Sequence, residues 1–197
     1  MYEVKPVSGG FTILSDGCAL LTPMGKVVAT SSEALARRLA TDLETVGPDP
    51  SDPTSIVAFH YASLDFFDSV SLADLQTSLL AGFDPENDWT FECPTATPGP
   101  LMEWIGLFGT WAGHQKPGQA WIRSLGKNQL CATTVLGRAV ESVNIPLLLA
   151  TTLKEEDLSG FVVAVLKRYP YYSRKDFEKI VDNFLFYYGL DAAPPEA

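Results

Sequence analysis

The stretch Gly10–Glu44, GFTILSDGCALLTPMGKVVATSSEALARRLATDLE, leaves the front of this chain few choices of fold. Phe11, Ile13 and Leu14 run into Asp16-Gly17, a dipeptide that accepts positive φ and so favours a two-residue hairpin turn. The chain returns through Ala19, Leu20 and Leu21. Thr22-Pro23 and Met24-Gly25 then interrupt the run, because proline lacks a ladder donor and glycine weakens strand order. Lys26 to Ala29 reads as a third short strand. Thr30 and Glu33 have the spacing of a capping box. The helix after them aligns Leu35, Leu39 and Leu43 with Ala36 and Ala40, and sets Arg37, Arg38, Asp42 and Glu44 on the other side. A small sheet on one helix is the expected unit, and nothing in it is chemically reactive.

Gly47-Pro48-Asp49-Pro50-Ser51-Asp52-Pro53 follows. Three prolines cannot continue a helix and push their predecessors toward extended conformations, so a domain junction is expected near residue 50. Beyond it the periodicity is helical. Asp52-Pro53 resembles an N-cap with proline at the first helical position, leading through Ile56, Phe59, Tyr61, Leu64 and Phe67. A second helix begins near Ser71, with Leu72, Leu75, Leu79 and Leu80 on one face and Asp74, Gln76 and Ser78 off it. Leu101, Trp104, Ile105, Phe108 and Trp111 recur at helical spacing beside Gly106, Gly109 and Gly113. Further helices are expected over Ala120–Leu125, Gln129–Ser142 and from Ile145 to Leu153, while Ser159–Leu166, closed by Pro170, is rich enough in β-branched residues that its pattern fits strand and helix alike. The last helix has Ser173 as N-cap, an apolar stripe of Phe177, Ile180, Val181, Phe184, Leu185 and Tyr188, and Gly189 as its stop. The predicted architecture is α+β: residues 1–50 a small β-rich domain with one helix, residues 51–197 a larger all-α domain.

Charge narrows the partners. With 24 acidic and 14 basic residues the chain carries a formal net charge of -10. It lacks the Lys/Arg density that phosphate backbones or anionic lipid surfaces demand, so neither nucleic acid nor membrane is an expected partner. The longest apolar runs, Ile145–Ala150 and Phe161–Leu166, fall far short of the roughly 20 residues of a bilayer span. Cys18, Cys93 and Cys131 are odd in number and form no C-x-x-C pair, which points to a reducing compartment. The start, MYEVKPVSGG, resembles neither a signal peptide nor an Arg-rich transit peptide. The bacterial cytoplasm is expected, or the mitochondrial matrix if a presequence has been removed.

Few residues offer chemistry. His60 and His114 lie far apart, and Asp65 stands five positions from His60, the wrong spacing for one helix face. No metal site is expected. There is no nucleophile elbow, P-loop or dinucleotide fingerprint, and no cofactor is implied. Asp84 and Asp88 could be imagined as an acid/base pair, but they read better as a turn cap at Pro85 and a solvated carboxylate. Tyr169-Pro170-Tyr171-Tyr172 and Tyr187-Tyr188 offer large rings with polar tips, suited to packing at bundle ends or to an interface.

Asp16-Gly17, Thr22-Pro23, Gly25, Ser32, Leu35-Ala36 and Glu44 follow, in order, a pattern that resembles the assembly chaperones binding the α subunit of the F-type ATP synthase. That family opens with a strand, a DG turn, a TP-x-G step and a helix of the S-x-x-LA-x-x-x-A-x-E type. Its second signature, W-D-P-x-x-D-W after a glutamine-bearing helix, is matched by Asp84, Pro85, Asp88 and Trp89, with Phe83 for the first tryptophan. A W-G-x-D ending is matched by Tyr188-Gly189-Leu190-Asp191. The chain departs from the pattern at Cys18 and Leu21, where the family has Arg and Lys. It departs again in the last helix, where Val181 or Asn183 takes the place of a Glu and Phe184 that of a Gln. The resemblance implies a client-specific chaperone without catalytic residues, holding the α subunit until the β subunit replaces it. It implies client contact through Phe83, Asp84, Trp89, Tyr188 and Asp191, and structural turns at Asp16, Gly17, Thr22, Pro23 and Gly189. An interaction module of the same fold with another client, or a small hydrolase using Asp84 or His60, are the alternatives.

Overall fold

The computed structural model describes residues 1–81, 88, 115–151 and 157–191. It is an α+β protein with a four-stranded antiparallel sheet followed by helices. The chain separates into two compact units, Met1–Ser71 and Leu72–Ala197. The proline-rich step near residue 50, expected as the domain junction, lies inside the first of these.

In the first unit, β1 (Tyr2–Val7) pairs along its length with β2 (Gly10–Ser15). Strand β1 was not expected from Met1–Gly10, although Tyr2 and Val4 alternate with the exposed Glu3 and Lys5. Asp16 (φ 51) and Gly17 (φ 82) turn the chain into β3 (Cys18–Ala19), with both central residues left-handed, as a tight hairpin requires. Leu21 then faces Val27 across a bridge, and β4 (Ala29–Thr30) returns to pair with the front of β2. Where the three segments meet, their amides form a closed ring. Ile13 N–H donates to the Val28 carbonyl at 3.1 Å, Val28 N–H to Leu20 at 2.9 Å, and Leu20 N–H to Ile13 at 2.8 Å. Ile13 and Val28 are fully enclosed there.

Because Ile13 directs its amide and carbonyl toward this ring, its β1 partner Val4 directs its own outward, and so do Tyr2 and Pro6 by alternation. Pro6 has no N–H, and the Tyr2 N–H is taken by Glu44 Oε1 at 3.2 Å. The outer edge of the sheet is thereby blunted against further strand pairing. Gly10 has a different constraint: a Cβ there would stand 2.3 Å from the Thr30 carbonyl oxygen, at a φ of 157.

Helix α1 (Glu33–Thr45) buries Leu35, Ala36, Leu39 and Leu43. Its cap is Ser32, whose Oγ accepts the Leu35 N–H at 3.2 Å; Thr30, expected in that role, sits in β4 and accepts the Ser32 N–H. Asp42 corrects a second expectation. It is three residues beyond Leu39, so it falls on the buried face, and its Oδ2 accepts the Ile56 N–H (2.9 Å) and the Ser55 hydroxyl (3.2 Å) at the start of α2 (Ile56–Ala62). Ser55 rather than Asp52 is the N-cap of α2, while Asp52 accepts the Thr54 N–H in a local turn. The helix continues as one π-turn, Ser63–Phe67, closed by the Asp68 N–H on the Ser63 carbonyl at 2.9 Å.

The second unit contains α3 (Leu72–Ala81), α4 (Gln115–Ser124), α5 (Lys127–Ala139), α6 (Asn144–Thr151), α7 (Leu158–Arg168) and α8 (Arg174–Tyr188). Helix α8 buries Phe177, Ile180, Val181, Phe184 and Tyr187, and packs on α5, α6 and α7. Ser173 caps it, accepting the Asp176 N–H at 3.1 Å. Gly189 follows at φ -70 and runs into a 3₁₀ turn, Gly189–Asp191, so it ends the helix without the left-handed conformation expected of it. The apolar stretch 101–112 lies outside the described residues.

Gly10→Ala should lower stability in urea by roughly 2 kcal/mol or more, whereas Gly189→Ala, with open space around it, should change it by less than about 0.5 kcal/mol. His60 is buried with Nε2 on the Ala29 carbonyl (3.1 Å), and its pKa is pushed down from 6.5 to about 4, chiefly by burial, with the Ala29 bond and Asp68 acting the other way. The unfolded chain takes up that proton near pH 6.5 and the folded one only near 4, so acidification through this window costs about 3 kcal/mol of stability. His60→Gln should flatten the denaturation profile between those pH values.

Candidate client-binding surface

Of the residues expected to contact a client, Phe83, Asp84 and Trp89 lie outside the described residues. Asp88, their neighbour in the second signature, is placed. It was expected to be solvated, and it is instead buried in the second unit. Its Oδ1 accepts the Ser142 hydroxyl at 2.8 Å, and its Oδ2 the N–H groups of Val143 (2.7 Å) and Asn144 (3.3 Å). These donors are the unsatisfied amides at the front of α6, and a carboxylate there also meets the positive end of the helix. Ser142 Oγ in turn accepts from the Asn144 and Ile145 amides at 3.2 Å. One signature aspartate therefore fixes where α6 begins. Upstream, α5 ends with Glu141 at φ 51 and the Ser142 N–H on the Gly137 carbonyl, a left-handed closure made without glycine.

Gln76, expected off the packed face of α3, also holds a helix end. Its Nε2 donates to the carbonyls of Arg123 and Leu125, each at 3.0 Å, at the close of α4. Tyr188 is half-buried, and its hydroxyl accepts from Trp121 Nε1 at 3.3 Å. Asp191 closes the 3₁₀ turn beyond it. Val181, Asn183 and Phe184, at the positions where the resembling family carries Glu and Gln, are all buried. The exposed acids of this helix are Asp176, which accepts the Ser173 hydroxyl at 2.6 Å, Glu178, paired with Arg174 at 2.8 Å, and Asp182.

The tyrosine cluster divides by role. Tyr172 donates to the Ala139 carbonyl at 3.1 Å and stacks on Phe177, and Tyr187 is enclosed. Tyr171 is 76% exposed, with its ring 4.5 Å from that of Tyr169. Burial first, then the charge of Glu141, raises the Tyr169 phenol above its ordinary pKa, so Tyr169 presents a neutral phenol. Such rings give large contact area at small entropic loss.

In the first unit the signature Thr22-Pro23-x-Gly25 forms the loop at the end of the β3–β4 hairpin. The Gly25 N–H donates to the Thr22 carbonyl at 2.9 Å with Gly25 at φ 79, and the Thr22 N–H to the Lys26 carbonyl at 2.8 Å. Thr22 is buried. Its hydroxyl accepts the Lys26 N–H at 3.1 Å and donates to Asp65 Oδ1 on the π-turn. Lys26 Nζ donates to the Leu64 carbonyl of that same turn. The extra residue of a π-turn re-aims side chains relative to an α-helix, and here Asp65 and the Leu64 carbonyl both meet the hairpin. Tyr61, one turn earlier, is enclosed and its phenol is pushed up to about 12, first by burial and then by Tyr2 and Asp65. Among the described residues no group of three or more His, Cys, Asp or Glu side chains could hold a metal ion, and no helix is long and apolar enough to cross a membrane.

Removing the Asp88 carboxylate tests the first of these roles. Asp88→Asn should cost about 2–3 kcal/mol, because it trades an acceptor for a donor facing amide donors, and Ser142→Ala about 1 kcal/mol. The double variant should cost less than the sum, since the two side chains serve the same amides. Chemical denaturation of the three variants measures this.

The sequence matches no protein-family model and no curated protein. Among solved structures the chain is similar to the crystal structure of a putative chaperone from Agrobacterium tumefaciens, with 16% sequence identity and a TM-score of 0.59. The match covers 95% of this chain and 81% of the other. At that identity the likeness is one of fold, and it spans both units.

Proposed function

We propose that this chain is a client-binding chaperone and not an enzyme, and that its client is the α subunit of the F-type ATP synthase, held until the β subunit displaces it. The observation that carries this reading is the fold likeness to a putative chaperone over 95% of the chain. The two sequence signatures add to it, because their residues sit where the fold is decided: Thr22 and Gly25 in the anchored hairpin, Asp88 at the front of α6. A chaperone of this kind needs only a surface that competes with the native interface. The buried Asp42, Asp65 and Asp88 support a binding role over hydrolysis, since each is engaged by internal donors. His60 is enclosed against the Ala29 carbonyl, which removes it as an accessible base.

A second reading, the same fold serving a different client, is favoured by one observation. Val181, Asn183 and Phe184 are buried and uncharged where the resembling family carries Glu and Gln, so contact through those positions is not available here.

A titration against the isolated α subunit of the same organism, with the β subunit as competitor, separates the two. Micromolar or tighter binding that β displaces is expected. A well-folded protein that does not bind α, yet captures another defined subunit, would retire the ATP synthase client and favour the second reading.

A further inference from the structure

We propose that the tip of the β3–β4 hairpin, together with Phe66 beside its anchor, is a docking surface for an extended apolar segment of an unassembled protein client. The inference rests on the chaperone reading above and locates a contact that the signatures do not include.

Leu21 is 51% exposed, Met24 60% and Val27 49%, all on one hairpin tip, and Phe66, next to Asp65 on the π-turn, is 62% exposed. Leu21 and Val27 face each other across the bridge, so their side chains share a face. The tip carries one charge, Lys26, and that ammonium is turned back onto the Leu64 carbonyl; the Asp65 carboxylate is buried against Thr22. Apolar side chains are thus displayed while the charged ones are withdrawn. The backing is fixed in advance by the Thr22–Asp65 and Lys26–Leu64 bonds and by the amide ring of Ile13, Leu20 and Val28. A surface ordered before it binds loses less entropy on binding.

Two observations select the occupant. The Val28 N–H meets the Leu20 carbonyl and the Thr22 N–H meets the Lys26 carbonyl, so the peptide groups of Leu21 and Val27 point away from each other, toward the two sides of the tip. An extended segment laid along either side gains those peptide bonds and the adjoining Leu or Val contact. The second is size. Four side chains at these exposures offer roughly 400 Å², within the range of functional patches, but about half of what each partner gives a standard stable interface. Tip-to-tip pairing of two copies would be too small to last, whereas a segment held and then surrendered fits.

The test uses the full chain and reduced insulin B chain, whose aggregation is followed by light scattering. Wild type should suppress aggregation. Leu21→Thr/Met24→Ser/Val27→Thr should need about 10-fold more protein for the same suppression, and Met24→Ser alone should fall between. Val7→Thr/Val46→Thr, which removes exposed apolar groups elsewhere on this unit, should match wild type. Circular dichroism and thermal midpoints establish that each variant is folded, and Met24→Ser, in an exposed loop, keeps the result readable if the triple variant is not. Equal suppression by wild type and variants, or none by wild type, overturns the proposal. The α-subunit titration judges the client separately, so a failure of the surface and a failure of the chaperone reading give different results.

Discussion

A carboxylate taken out of water must be met by donors, or its burial costs several kcal/mol. Among the described residues three aspartates are buried, and each is placed where it joins two parts of the backbone that the hydrophobic effect alone would leave unspecified. Asp42 on α1 receives the first amide of α2. Asp65 on the π-turn receives the hydroxyl of the hairpin loop. Asp88 receives the amides that open α6. Apolar contact is non-directional and tolerates sliding, but an acceptor fixed on one element and an amide on another define a single register. The sheet, α1 and α2 are held in such a register within the first unit, and α6 within the second.

Those same residues explain what could be read from the sequence and what could not. Asp16-Gly17 is legible because a hairpin turn is decided by the φ of two adjacent residues. Ser173 and the stripe from Phe177 to Phe184 are legible because cap and periodicity are both local. Asp42, Gln76 and Asp88 read as solvent-facing because polarity is a local property and their partners are not local. Asp88 meets a residue 54 positions away and Gln76 one 47 away, and no local pattern contains such partners. For Asp42 a signal existed: it keeps the spacing of Leu35 and Leu39, so its position predicted burial even though its chemistry argued against it. The π-turn was not legible at all, since one inserted residue leaves the helical periodicity of Ile56–Phe67 almost intact.

A surface is harder to read than a core. Helix α8 looked amphipathic on either assignment of its tyrosines, yet Tyr187 is enclosed and Tyr188 half-exposed. The proposed client contacts sit in the part of the problem where sequence pattern gives least. They depend on which apolar groups the fold fails to cover, and that is known once every element has its partner. The hairpin tip illustrates this. Its sequence, Leu21 to Val27, looked like an interrupted strand, and its significance lies in being anchored from behind while its apolar side chains face out.

The amide ring of Ile13, Leu20 and Val28 has one more consequence, for the order of events during synthesis. Its members are near neighbours in the chain, and the longest tethers of this unit, from Tyr2 to Glu44 and from Thr22 to Asp65, also close within it. Short loops lose little entropy on closing, and contacts of this range form early. Everything that fixes the hairpin lies within Met1–Ser71 and is therefore available once Ser71 has left the ribosome, before the helices from Leu72 onward have been released. The nascent chain would display its apolar tip while its own C-terminal half is still being translated.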